Sequence, residues 1–453
     1  MDNEKIDNPE KVGFGRMLAW QSRGISGGVQ AVLIGYLMVY CTNALGMSAT
    51  LVGTILMVSK LLDGVTDLFA GYLVDKTNTK WGKGRPYEIC IIGLWLATWL
   101  VFSVPENAVL PVKCIWIFVC YAMAQSVFTT FLNANVMVYM VRAFNSEKAY
   151  VTLNSIGGLI VTFGVVVFNI IFPMFEAKII SSASGWSRLV LAMAVPLAIL
   201  GLLRFLFIKE DKNVDALPGE LVETVNFKDV IVVLKTNKYI YIVAFLLFVN
   251  AIISSMGITN YYFLYIVNNV GLMGVMSLLS IFPMITMLLY PLILKKISVP
   301  RLIQIGMLLT LVSGTINWFA GKNLVLLGIG SIIYGAACLP ISFMSPLLIV
   351  DCASYNEWKG IPRMEGTLGC VTGFSSKIGA AFGSFLLGIM LSASGFDGTL
   401  TIQPDSAITM IRFIFSYFPT IFGVIVAVIM GFYKLDKLKP KMLKEIEVRK
   451  SEH

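Results

Sequence analysis

Apolar runs of roughly 18–30 residues, long enough to cross a bilayer as a helix, recur about twelve times along this chain of 453 residues. They fall at 17–43, 50–74, 87–104, 112–141, 150–175, 187–208, 238–267, 272–294, 301–320, 323–350, 365–394 and 407–433. The pattern predicts an all-α membrane protein with twelve transmembrane helices. Charged residues are 13% of the chain, against about 25% in a soluble domain. One long polar connection, 209–237, divides the runs into two sets of six. We therefore expect a first half over 1–208, a connecting loop over 209–237, a second half over 238–434 and a tail over 435–453. Transporters are commonly built from such paired halves, with the substrate near the midplane between them.

The formal charge of +9 would suggest nucleic acid in a soluble protein. Here its placement gives a simpler account. If the N-terminus is inside, 26 lysines and arginines fall on inside segments and 4 on outside segments. That bias orients both termini to the cytoplasm of an inner cell membrane. The basic run from Lys434 to Lys450 then reads as a solvated tail, able to touch anionic lipid. Seven cysteines show no metal-type spacing, and the single histidine is His453. A disulfide framework and histidine chemistry are therefore not expected, and neither is an enzyme. The first 12 residues are polar and no cleavable signal is evident.

Within the second run stand Lys60, Asp63 and Asp67, with Thr66 beside them. Spacings of three and four put the three charges on one helix face. A central membrane charge costs about 2.5–3.5 kcal/mol on insertion scales, so such residues are usually functional. Two neighbouring carboxylates repel unless a cation joins them. The pair therefore invites a coupling cation, Na+ or H+, with no other cofactor. Lys377 stands alone among small residues in the eleventh run, where it could answer that acidic pair.

The loop GYLVDKTNTKWGKGRP, residues 71–86, resembles the conserved loop between the second and third helices of the major facilitator superfamily. With Asp63-x-x-x-Asp67 before it, the stretch is similar to the glycoside–pentoside–hexuronide:cation symporter family, the melibiose permease-like transporters. DCASYNEWKGIPRMEG near the tenth run, SSKIGAAFGSFLLG in the eleventh and NYYFLYIVNNVG in the seventh agree with that family. The resemblance implies a major facilitator fold and cation-coupled symport of a sugar, glycoside or hexuronide by alternating access. It implies Asp63 and Asp67 as cation ligands and Thr130 as a neutral oxygen ligand, with Thr66 where the family has an amide.

The departures concern substrate. Asn133 stands where a family aspartate holds the sugar, and Arg23 is the only charge in the first run. With Lys377, these are the substrate candidates, for a uronide or for a neutral sugar held by amides and aromatics. Trp20, Tyr36, Trp116, Tyr121, Tyr261 and Tyr262 are weaker stacking candidates. Asp75, Arg85, Arg142, Asp351, Glu357, Arg363 and Glu365 fall at the inner ends of runs and read as an inner gate of charge pairs. Alternatives are a transporter of the same build for a lipid or small acid, and a non-transporting membrane sensor. Expected partners are a small-molecule substrate and the bilayer, with a monomer sufficient.

Overall fold

The computed structural model describes residues 12–77, 79–144, 147–210, 232, 235–279, 281–287, 289–361 and 365–451. Among them there is no strand, only one isolated bridge between Thr79 and Gly82. The chain is all-α. It divides into two compact units: Met1–Leu221 with Asp397–Thr401, and Val222–Phe396 with Ile402–His453.

The first unit contains α1 (Phe14–Ile34), α2 (Ala49–Lys76), α3 (Cys90–Val101), α4 (Leu110–Ala122), α5 (Glu147–Ile179) and α6 (Ala183–Phe207). α1 packs between α5 and α6. Its Gly24 and Gly28 make the close approach to α5 possible: a Cβ at Gly28 would lie 2.5 Å from Val165, and one at Gly24 2.8 Å from Val161. Small residues one turn apart let membrane helices approach closely where no hydrophobic force acts between them. α4 does not end as a regular helix. It passes into a π-helical segment, Met123–Thr129, and then into Thr130–Ala134. π-segments of this kind are frequent at functional sites.

The second unit contains α7 (Tyr239–Ser255), α8 (Leu272–Leu278), α9 (Val299–Ala320), α10 (Leu324–Trp358), α11 (Glu365–Ala393), α12 (Asp405–Met430) and α13 (Leu435–Ser451). α7 lies against α11, where Gly379 and Gly383 face the backbone carbonyls of Phe248 and Ile252. α9 is held between α10 and α12. Beyond α7 the chain breaks at Gly257, in the left-handed region at φ 63°, before it resumes as Ile258–Tyr262.

Among the described residues, nine helical stretches are long and apolar enough to cross a membrane. The twelve-run reading differs from that number at three places. α2 carries Lys60, Asp63 and Asp67 along its length. α3 has only 12 helical residues, after the short 3-10 turn Arg85–Ile89. The run 272–294 forms helical pieces at Leu272–Leu278, Ile281–Met287 and Tyr290–Ile293, consistent with Pro283 and Pro291 inside it.

The basic run after Lys434 also departs from the reading. It is not a solvated tail but a helix whose Leu435, Met442 and Ile446 are buried. α13 packs on α10. Apolar residues spaced four and seven apart give it one buried face while the lysines occupy the others.

Candidate functional site

The carboxylate of Asp63 sits on α2, half-buried, where α2 meets the π-segment after α4. The segment's extra residue per turn shifts the face that its side chains present. Ser126 thereby donates its hydroxyl to Asp63 Oδ1. The same hydroxyl lies 3.4 Å from the Ser59 carbonyl, and the buried Ser59 hydroxyl has no partner among the described residues. Lys60, one turn before Asp63, and the buried phenol of Tyr121 both feel the Asp63 charge. Thr130 is buried one turn beyond Ser126. Thr66 turns back on its own helix, donating to the carbonyls of Asp63 at 3.1 Å and Leu62 at 3.3 Å. Asp67 lies one turn further along α2, but its side chain is outside the described residues.

One carboxylate with hydroxyl and carbonyl oxygens around it is a hard-donor set. Such oxygens suit Na+, and the carboxylate suits a proton. No group of three or more His, Cys, Asp or Glu residues able to hold a metal occurs among the described residues. Ser126 is the ligand candidate that residue patterns alone do not single out. Its only sequence signal is that it stands four before Thr130.

A second charge cluster lies at the loop end of the first unit. Glu88 is fully buried. Its carboxylate faces Arg23 Nε at 3.6 Å and Arg204 Nη1 at 3.5 Å. Arg204 donates from Nε to the Trp20 carbonyl at 2.6 Å and stacks over the Trp20 ring at 4.0 Å. Arg23 also donates to the carbonyl of Leu132, the residue before Asn133. The structure thus gives the Arg23 charge a carboxylate that it shares with Arg204, one that sequence patterns do not reveal. Asn133 itself is exposed. Beside the cluster, the loop amides of Lys83 and Gly84 donate to the Glu210 carboxylate at 2.8 and 2.9 Å, and Arg85 N joins them. Arg85 donates from Nε to the Phe205 carbonyl at 2.9 Å.

Other candidates are placed as follows. Arg142 lies in the last turn of Val136–Phe144. Asp75 is on α2 and Glu365 begins α11, with both side chains outside the described residues, as is all of Arg363. Asp351 pairs with Lys439 of α13 at 2.6 Å. Glu357 is half-buried near the end of α10, and Lys377 is half-buried in the middle of α11. Trp20, Tyr261 and Tyr262 are core residues, buried against other rings; Tyr262 stacks on Phe415 at 4.2 Å. Tyr36 packs on Phe172, with ring centres 4.8 Å apart. Glu176 is a fully buried acid with neither oxygen hydrogen-bonded among the described residues, and no pattern flags it.

Comparison with known proteins bears on this arrangement. A family model described as MFS/sugar transport protein matches residues 26–437. The isoprimeverose transporter of Lactiplantibacillus pentosus is 28% identical over 91% of this chain and 86% of its own length. The inner membrane symporter YicJ of Escherichia coli (strain K12) is 24% identical over 95% of this chain and 92% of its own. A crystal structure of a D-xylose–proton symporter shares the fold at a TM-score of 0.62, with 13% identity over 91% of this chain and 95% of that one.

Proposed function

Because this chain belongs to the MFS/sugar transport protein family of membrane transporters, we propose that it is a symporter of a sugar or glycoside, driven by Na+ or H+ bound at Asp63 and Asp67. The single observation that carries the cation site is the Asp63 carboxylate, set on a membrane helix and met by Ser126 from the π-segment. Alternating access exposes the bound substrate to either side of the membrane in turn. The isoprimeverose transporter supports a sugar as the cargo and YicJ supports symport. The membrane is the inner cell membrane, with both termini cytoplasmic, as the lysine and arginine bias argues. Arg85, which donates to the Phe205 carbonyl, and Asp351, which pairs with Lys439, remain candidates for charges of an inner gate.

The energetics are sufficient. A membrane potential of 100 mV contributes about 2.3 kcal/mol per positive charge moved. One cation per substrate then sustains accumulation of roughly fiftyfold.

The test is uptake of isoprimeverose and related glycosides into vesicles under an imposed Na+ gradient or an imposed pH gradient. Asp63→Asn and Asp67→Asn are measured beside the parent. Acceleration by one gradient, lost in both variants, supports the symporter and identifies its ion. Uptake indifferent to both gradients in the parent sinks the coupling. Absence of any uptake favours a sensor on the same fold.

A further inference from the structure

Where α9 begins and α12 stops, the second unit holds a pocket of about 210 Å³. Arg301 and Gln304 line it from the first turns of α9, and Lys434 and Lys437 from the junction of α12 with α13. The three cations are exposed, and none of them makes an ion pair among the described residues. That sets them apart from Lys439 and Lys441 of α13, which pair with Asp351 and Glu445. The one acid in the lining is Asp436, and each of its oxygens already accepts a hydrogen bond. Oδ2 accepts from Ser298 Oγ at 2.7 Å and Oδ1 from the Lys437 amide at 2.9 Å. Ser298 is thereby drawn off the first turn of α9, which has no side-chain cap. Amides of a first turn lack partners within the helix and add partial positive charge.

A second observation concerns the surface that leads to this pocket. On α9, Ile305, Leu308 and Val312 are exposed and continue the helix face of Arg301 at steps of four, three and four residues. On α12, Ile421, Ile425 and Val428 are exposed at steps of four and three, ending within one turn of Gly431 in the pocket wall. α9 and α12 pack on one another. Each therefore carries an exposed apolar stripe that runs up to the same cationic pocket. On a membrane helix such a stripe meets acyl chains.

We propose that this pocket binds the phosphate of an anionic phospholipid, whose acyl chains lie along α9 and α12. Unpaired cations around a pocket call for an anion, and the stripes call for one that carries a chain. The Arg301 guanidinium can hold phosphate oxygens in a two-pronged way, while Lys434 and Lys437 act as point charges. Basic pockets between membrane helices recognise anionic headgroups in this manner. The volume accommodates a phosphodiester with a few waters, each occupying about 30 Å³. A zwitterionic headgroup would bring its own ammonium to a pocket already in positive surplus. Free phosphate would match the charge and leave the stripes uncovered. The site is separate from Asp63 and does not depend on the cargo.

Thermal unfolding of the purified full chain in detergent tests this, with phosphatidylglycerol, phosphatidylcholine or inorganic phosphate added. Phosphatidylglycerol should raise the unfolding temperature saturably, and phosphatidylcholine should not. Arg301→Gln and Lys437→Gln should each raise the half-saturating phosphatidylglycerol concentration by about fivefold, and the double variant by about twenty-fivefold. Lys434→Gln replaces either one that fails to fold. Lys441→Gln and Lys444→Gln remove charge from α13 outside the pocket and should each change it by less than about twofold. Native mass spectrometry should show phosphatidylglycerol retained by the parent and lost from the double variant. Equal weakening in pocket and control variants, or equal retention by parent and double variant, overturns the site in favour of diffuse attraction. Protection by inorganic phosphate at matching concentration overturns the lipid and makes a soluble phosphate the ligand. No effect of phosphatidylglycerol on the parent overturns the proposal outright.

Discussion

The two units differ in the polar groups that line their candidate sites. The first buries formal charge: Glu88 is fully buried between Arg23 and Arg204, and Asp63 shares a half-buried site with Lys60 and Ser126. The second gathers exposed Arg301, Lys434 and Lys437 around a pocket, and its described salt bridges involve the partly exposed lysines of α13. A buried charge responds to an ion or a membrane field. An exposed cationic pocket responds to the headgroup charge of the surrounding lipid. On the proposed symport reading, the charged site of the first half is the one that answers the driving ion. Perturbing each half should therefore produce a different kind of defect.

The largest effect should come from Glu88→Gln. That change leaves two guanidinium groups buried with no carboxylate. Breaking a buried pair by removing one partner costs about 3–5 kcal/mol, whereas replacing the whole cluster by apolar residues can be neutral or better. Denaturant or thermal unfolding of the purified protein should show the loss in Glu88→Gln. Its partial recovery in Glu88→Leu combined with Arg23→Met and Arg204→Met would assign the loss to stranded charge. Equal instability in the triple variant would instead assign it to packing on Trp20.

Next in size is Asp63→Asn. It keeps the side chain's volume and a hydrogen-bond acceptor for Ser126 while removing the charge. Gradient-driven accumulation should collapse from roughly fiftyfold toward equality, with the folded state retained and counterflow of substrate persisting. Collapse of substrate binding together with coupling would show that Asp63 serves the cargo as well as the ion. Ser126→Ala should be milder, because it removes one neutral ligand and leaves the carboxylate. We expect the half-saturating cation concentration to rise by about fivefold to tenfold, from a hydrogen-bond-scale loss of about 1–1.5 kcal/mol. An unchanged cation dependence would remove the π-segment from the site.

What could be read beforehand follows the same contrast. Asp63 stands out in sequence because a carboxylate in an apolar run is rare, and its spacing from Lys60 fixes a shared face. Ser126 does not, since serines are ordinary in membrane helices and its approach to Asp63 depends on a π-segment that periodicity at 3.6 residues misses. Glu88 escapes notice because its residues GRPYEI look like the end of a loop. Its partners Arg23 and Arg204 lie 65 and 116 residues away in the chain, a juxtaposition only tertiary packing creates. The cationic pocket is silent for another reason: Arg301, Lys434 and Lys437 look like ordinary loop charges until two helix ends bring them together. Lysines dominate the composition of α13 and conceal the apolar positions Leu435, Leu438, Met442 and Ile446, which dock it.

The smallest effect should come from the pair Asp351–Lys439. Its nitrogen and oxygen lie 2.6 Å apart, yet the Lys439 side chain is 48% exposed. Exposed pairs typically contribute about 0.2–1 kcal/mol and weaken as salt screens them. The docking of α13 rests more on Leu435, Met442 and Ile446, and on Trp358 Nε1 donating to Glu445 at 2.5 Å. Lys439→Ala should therefore shift unfolding by under about 1 kcal/mol, with the difference from the parent shrinking further in high salt. Protease resistance of the C-terminal helix should be unchanged. If α13 instead became readily cleaved, charge would be holding a large element in the second unit as well. The docking of α13 would then count as ionic rather than apolar.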